Sequence, residues 1–265
     1  KRGIMPDLSE IPEMRPLSFH RPKAPQNIVN AMGEYQAMLD AIRDGLVNKN
    51  RAEIPADPLK RSNHIKGFGY FNDAAMIGIC KLPDSAILKA PILNSDVARL
   101  AQALRTRQTK TLASGIDLIM ADLKDAMEAP SSTIEDHSHA IVFLYENPRK
   151  FFPNEKGVEW LQGAHAHRAC LRASETTVVL ANYLRLLGFD AKSHSNTATD
   201  VNLNKLAVAS GLVWFENDEL TAPYLEKRYG IGVVTCSMDL SIDFPLAPKK
   251  TQPWFKTKGP AWWFG

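Results

Sequence analysis

Three kinds of side chain in this sequence could carry redox, metal or acid–base chemistry, and their spacing limits what that chemistry can be. The cysteines, Cys80, Cys170 and Cys236, are three in number and widely separated. A ferredoxin-type cluster takes four thiolates at close spacing, and a structural zinc site takes closely paired ligands. The chain is therefore expected to hold no iron–sulfur cluster and no cysteine-based zinc site. The odd, scattered count also argues against a disulfide framework and fits a reducing, cytoplasmic location. Cys80 and Cys236 lie in apolar runs and are expected in the core. Cys170, in a helical pattern, is the thiol to test for reactivity.

The histidines come in two spaced pairs. His165 and His167 would point about 200° apart on a helix, so they cannot share a metal. His137 and His139 precede an apolar strand, where a two-residue step puts both on one face. No third ligand is evident near them, so no metal site is assigned, and Glu135-Asp136 beside them fits a loop. Tyr145, just past that strand, is the candidate proton donor by position, against the alternative of a half-buried edge residue. His194-Ser195-Asn196 follows another strand candidate, and strand ends are where α/β folds place ligands. A plain polar turn is the competing reading.

The elements that would position these groups follow from apolar periodicity. Ile28, Met32, Tyr35, Met38, Leu39, Ile42 and Leu46 recur at helical steps within residues 27–47, which predicts an amphipathic helix. Residues 71–82 run from a helix end into a buried strand, and a helix follows from about Asp96 to Arg107. Helical periodicity continues over Ile116 to Met127. Ala140-Ile141-Val142-Phe143-Leu144 is continuously apolar, as a strand buried on both faces would be. Residues 157–187 give the longest helical pattern, stopped by Gly188 as a left-handed cap. Phe189 to Ser193 is a strand candidate, Leu203 to Gly211 a short helix, and Gly230 to Leu240 a β-branched strand. Strands alternating with helices predict an α/β (α+β layered) fold, a central sheet flanked by helices.

Bulk properties agree. The 265 residues carry a net charge of +3 and are 45% hydrophobic, enough for a sizeable core. Basic and acidic residues are interspersed, so no nucleic-acid footprint is expected, and no apolar run is long enough for a membrane span. Pro and charge dominate residues 1–26, predicting an extended arm. Residues 27–247 form the domain body, and 248–265 form a Trp-rich tail or linker whose aromatics would dock to a partner.

Three segments, in order, carry a family resemblance. Asp73-Ala74-Ala75-Met76-Ile77-Gly78-Ile79-Cys80 resembles an "A-D-x-V-G-I-A" strand. Leu180-Ala181-Asn182-Tyr183-Leu184-Arg185-Leu186-Leu187-Gly188-Phe189-Asp190-Ala191 resembles an "A-x-x-I-R-x-L-G-Y-x-A" helix-to-strand passage. Asn204 through Leu212, then Leu220-Thr221-Ala222-Pro223-Tyr224, resembles "P-L-A-x-x-A-G-L-G" followed by "L-I-T-P-E-Y-G". Together they are similar to the cobalamin-binding module of reductive dehalogenases and epoxyqueuosine reductases over roughly residues 65–247.

The resemblance implies a nitroreductase-like fold and cobalamin as cofactor. It implies reductive removal of halogen from an organohalide, an aromatic one expected, with an iron–sulfur electron-donor domain or protein as partner. It assigns cofactor contacts to His194, Ser195, Asn196, Gly211, Leu212 and Asn217. The sequence departs from the pattern where the family has a glycine-rich turn: Val213, Trp214 and Phe215 bring side chains to positions where backbone would approach the corrin. The family's proton-donating tyrosine is also missing from the stretch His165 to Cys170. Three readings follow: an active corrinoid module, a duplicated cofactor-free structural domain of such an enzyme, or a cobalamin carrier without turnover. A flavin on the same fold is a further option.

Overall fold

The computed structural model describes residues 7–14, 22–106, 132–148, 151–152, 154–216 and 219–244. The Trp-rich tail, the Ile116–Met127 periodicity, Asn217 and part of the Pro-rich arm lie outside them. The elements in chain order are α1 (Val29–Ala41), α2 (Pro58–Phe71), β1 (Met76–Lys81), β2 (Ile87–Ile92), α3 (Ser95–Thr106) and β3 (His139–Glu146). They continue with α4 (Val158–Leu161), α5 (Ala164–Leu186), β4 (Ala191–His194), β5 (Thr199–Val201), α6 (Leu203–Ala209), β6 (Trp214–Glu216), β7 (Glu219–Thr221) and β8 (Tyr229–Cys236).

The central sheet has four antiparallel strands in the order β1-β3-β8-β4. In β3, Ala140, Val142 and Leu144 face one core while Ile141, Phe143 and Tyr145 face the other. That two-sided burial is the reason its sequence shows no polar alternation. Helix α5 covers one face and α6 the other, giving a layered α/β fold. α5 approaches closely because β8 carries glycines beneath it: a Cβ at Gly230 would lie 2.5 Å from the Cys170 nitrogen, and one at Gly232 would lie 2.9 Å from the Ala173 carbonyl.

Both sheet edges are covered, which removes the open strand edges that invite aggregation. Along β1, the Asp243 amide donates to the Ile79 carbonyl (2.8 Å) and its carboxylate accepts the Ile79 N–H (2.9 Å). Along β4, the Ser193 amide donates to the Arg43 carbonyl (3.0 Å).

Local signals explain the helix ends. Asp57 caps α2, its carboxylate accepting the Leu59 N–H ahead of Pro58 at the first helical position. Gly188, at φ +85°, ends the α5 region, and a Cβ there would also meet the Asn50 carbonyl at 2.9 Å. The long helical pattern over 157–187 is broken at Gly163, φ +86°, into α4 and α5. Trp214 and Phe215, expected to obstruct a turn, instead form β6, paired with β7 in a hairpin. No helix among the described residues is long and apolar enough to cross a membrane.

The largest departure is α1. The apolar stripe read over residues 27–47 is only partly buried: Leu39 is in the core, Ile28, Tyr35, Met38 and Ile42 are 37–44% exposed, and Leu46, 97% exposed, lies beyond the helix end at Ala41. The helix buries Val29, Gly33, Gln36, Ala37, Leu39 and Asp40.

Candidate functional site

Helix α1 reaches the strand end singled out in the sequence. β4 ends at His194, and the turn after it closes on itself, the Ser195 amide donating to the Ala198 carbonyl (2.9 Å). Four uncharged donors converge on the buried Asp40 carboxylate: Gln36 Nε2 (2.8 Å) and Ser195 Oγ (2.7 Å) on Oδ1, Asn94 Nδ2 (2.8 Å) and Thr197 Oγ1 (2.5 Å) on Oδ2. Burial pushes the Asp40 carboxyl above its ordinary value, and the hydrogen bonds from Thr197, Asn94, Ser195 and Gln36 oppose that rise. Asn196 donates to Cys170 Sγ (2.9 Å). Burial raises the Cys170 thiol, so the cysteine expected to be reactive is held in its unreactive protonated form.

His194 is fully enclosed. Its Nδ1 accepts the Asp200 N–H (3.3 Å), which assigns the ring proton to Nε2, and Nε2 then donates to Thr235 Oγ1 (2.8 Å). The Thr235 hydroxyl in turn donates to His137 Nδ1 (2.7 Å), and His137 Nε2 stands 3.4 Å from Asp190 Oδ2. Burial lowers both histidines, His194 well below the usual value. His139, expected on one face with His137, bonds to Ser138 Oγ (2.8 Å) instead. Asp200 faces Arg43 Nη1 at 2.7 Å and Lys192 Nζ at 3.1 Å. Burial would raise its carboxyl, but positive charge beside it, on His194 when protonated and on Arg43 and Lys192, holds it low.

The second predicted segment lies elsewhere. Gly211, φ +75°, closes α6, its amide donating to the Val208 carbonyl (3.0 Å). Leu212 is buried against β1, where a Cβ on Gly78 would come within 2.8 Å of its Cγ. β1 and β4 are opposite edges of the sheet, so the structure does not bring Gly211 and Leu212 together with His194, Ser195 and Asn196. Both ring nitrogens of His194, the Ser195 hydroxyl and Asn196 Nδ2 have protein partners, and Leu212 is core.

Tyr145 occupies a third place. Its hydroxyl bonds to Thr176 Oγ1 (2.6 Å) and donates to the Asn72 carbonyl (3.0 Å), while burial raises its pKa. Its ring lines a cleft of about 430 Å³ at the far end of β3. The strand end after β4 and this cleft are separate features. The role of Asp40 was hidden in the sequence because it lies on the stripe-bearing helix. The partnership of His194, Thr235 and His137 was hidden by sequence separation.

No family model and no curated protein sequence matches the chain. Solved structures do. The catabolic reductive dehalogenase NpRdhA is 27% identical with a TM-score of 0.64 over 90% of this chain and 28% of that one. In complex with 3-bromo-4-hydroxybenzoic acid it gives 26%, 0.66, 94% and 28%. A reductive dehalogenase described with a mechanism for B12-dependent dehalogenation gives 26% and 0.66 over 96% of this chain and 30% of that one. Epoxyqueuosine reductase from Streptococcus thermophilus, at 12% identity and a TM-score of 0.41, is too distant to bear on the reading. The chain spans less than a third of the length of these dehalogenases. Over nearly its whole length, then, this chain is similar in structure to one part of B12-dependent reductive dehalogenases.

Proposed function

We propose that this chain, with residues 27–247 as its body, is a cofactor-free module of a reductive-dehalogenase-type protein. Its role is structural, and the corrin, the iron–sulfur electron donor and the organohalide are handled by another part or partner. The observation that carries this reading is the orientation of α1. Its polar edge, Gln36 and Asp40, lies against the β4 strand end, where Ser195 and Thr197 both donate to the Asp40 carboxylate. Its apolar residues Tyr35 and Met38 are left partly exposed, with Glu34 and its partner Arg99 beside them.

Admitting a ligand at the strand end would mean breaking these bonds. Each stranded buried polar group would cost about 1–3 kcal/mol. The alternative, an active corrinoid module, is favoured by the 26–27% identity to B12-dependent enzymes. Thermal melting with excess cobalamin separates the two. A ligand at a hundred times its Kd raises stability by about 2.7 kcal/mol, a shift of several degrees. The structural reading expects an unchanged midpoint, and a rise that follows cobalamin concentration would reject it.

A further inference from the structure

We propose that the cleft beside Tyr145 binds a small hydroxylated oxyanion, a carboxylate or a phosphate monoester. The cleft, about 430 Å³, opens where β3 leaves the sheet and β8 enters it. Each wall has a local cause. Asp73, a non-glycine residue at φ +62°, ends α2, its amide donating to the Tyr70 carbonyl (3.1 Å). Asp and Asn tolerate that left-handed backbone better than most residues, and here it turns the Asp73 carboxylate toward α5. Gly230 and Gly232 let α5 lie close on β8, which brings Arg168 and Arg172 over the strand ends. The Asn147 amide donates to the Arg228 carbonyl (3.0 Å), fixing the third arginine at the rim.

The charges do not cancel. Arg172 Nη2 donates to Asp73 Oδ2 (2.7 Å), and its guanidinium stands 5.7 Å from the Tyr145 ring centroid. Arg228 Nη2 is 3.4 Å from Glu146 Oε1. Arg168, exposed and lining the same cleft, has no ion pair or hydrogen bond among the described residues. Three guanidinium groups thus meet two carboxylates in the wall, leaving one fork of donors for an oxyanion. Glu175, which also acts on Tyr145, is not part of that wall.

A second, independent feature specifies the rest of the ligand. Asn147 lines the cleft, and its Oδ1 is buried without a hydrogen-bond donor. Buried acceptors are nearly always satisfied, so the complementary ligand carries a hydroxyl donor near its anionic group. The site stands whether or not the chain binds a corrin.

The test is calorimetric titration of the whole chain at low ionic strength with D-glycerate, glycerol 3-phosphate and propionate, the last lacking hydroxyls. Saturable binding of glycerate or glycerol 3-phosphate is expected, the stronger of the two identifying a carboxylate or phosphate source, with propionate weaker. Arg168→Ala should weaken that binding about tenfold, the loss of one charge-assisted contact. Its melting temperature should not change, because the side chain is exposed. Asn147→Leu should remove the preference over propionate. No saturable binding of either hydroxylated anion, or binding undiminished by Arg168→Ala, would overturn the proposal.

Discussion

At Asp40 a buried carboxylate is satisfied by four uncharged donors drawn from three separate stretches of chain. Asp40→Ala removes their shared acceptor, and we expect a loss of about 3 kcal/mol in urea unfolding; a loss below about 1 kcal/mol would show the cluster to be dispensable. The histidines give a pH signature. A histidine whose folded pKa lies below its unfolded value near 6.5 binds fewer protons folded than unfolded. Stability therefore rises with pH and is lost as pH falls below about 6.5. His194 faces Asp200, Arg43, Lys192 and His137, and His137 also faces Asp190 and Asp44. Asp200 and Asp44 have lowered pKa values, so their contributions are lost only as pH falls below 3.8. Asp40 has the opposite sign, costing stability as pH rises above 3.8. Unfolding midpoints measured from pH 8 to 5 should thus decline below about 6.5, with a shallower slope in His194→Gln; a flat profile would contradict the neutral tautomers. None of these partnerships was legible beforehand. His194 and Thr235 are 41 residues apart and His137 and Thr235 are 98 apart, and no local pattern records such pairings.

At the scale of elements, α1 shows how periodicity identifies a helix without fixing which face is buried. The stripe is real only within α1, which ends at Ala41, and a helix is oriented by all its neighbours. Asn94, Ser174, Ser195 and Thr197 offered polar partners that Gln36 and Asp40 could reach. Two changes on this helix should separate its faces. Met38→Lys with Ile42→Lys should alter stability by no more than about 0.5 kcal/mol, as exposed positions do. Leu39→Ala, on the buried side, should cost about 2–5 kcal/mol. Equal costs would mean the face assignment is wrong. Across the sheet, Gly232→Val pushes a side chain against the Ala173 carbonyl and should cost about 1–3 kcal/mol by overpacking. Strands β3 and β8 and helix α5 were legible because their apolar runs are long. β2, β5 and the β6–β7 hairpin are three to six residues each, too short for periodicity to declare. Only the end of α2, near Phe71, was legible although Asp57-Pro58 is a helix-start signal, because the helix interior is mostly polar.

For the whole molecule, the layered α/β arrangement and the likeness to reductive dehalogenases were legible, since the order of strand, helix-to-strand passage and short helix is a property of the chain itself. The condition of the site was not. The sequence put Trp214 and Phe215 where the family has a glycine turn; the structure forms a hairpin there and also sets Asp40, from a distant helix, against the β4 strand end. In the proposed reading the chain keeps the fold of reductive dehalogenases while its own side chains fill the strand end. The most direct measurement is a visible-spectrum titration of the purified chain against cobalamin. The account predicts spectra that superimpose on free cobalamin throughout the micromolar range, and a saturable base-off shift at micromolar concentration would contradict it.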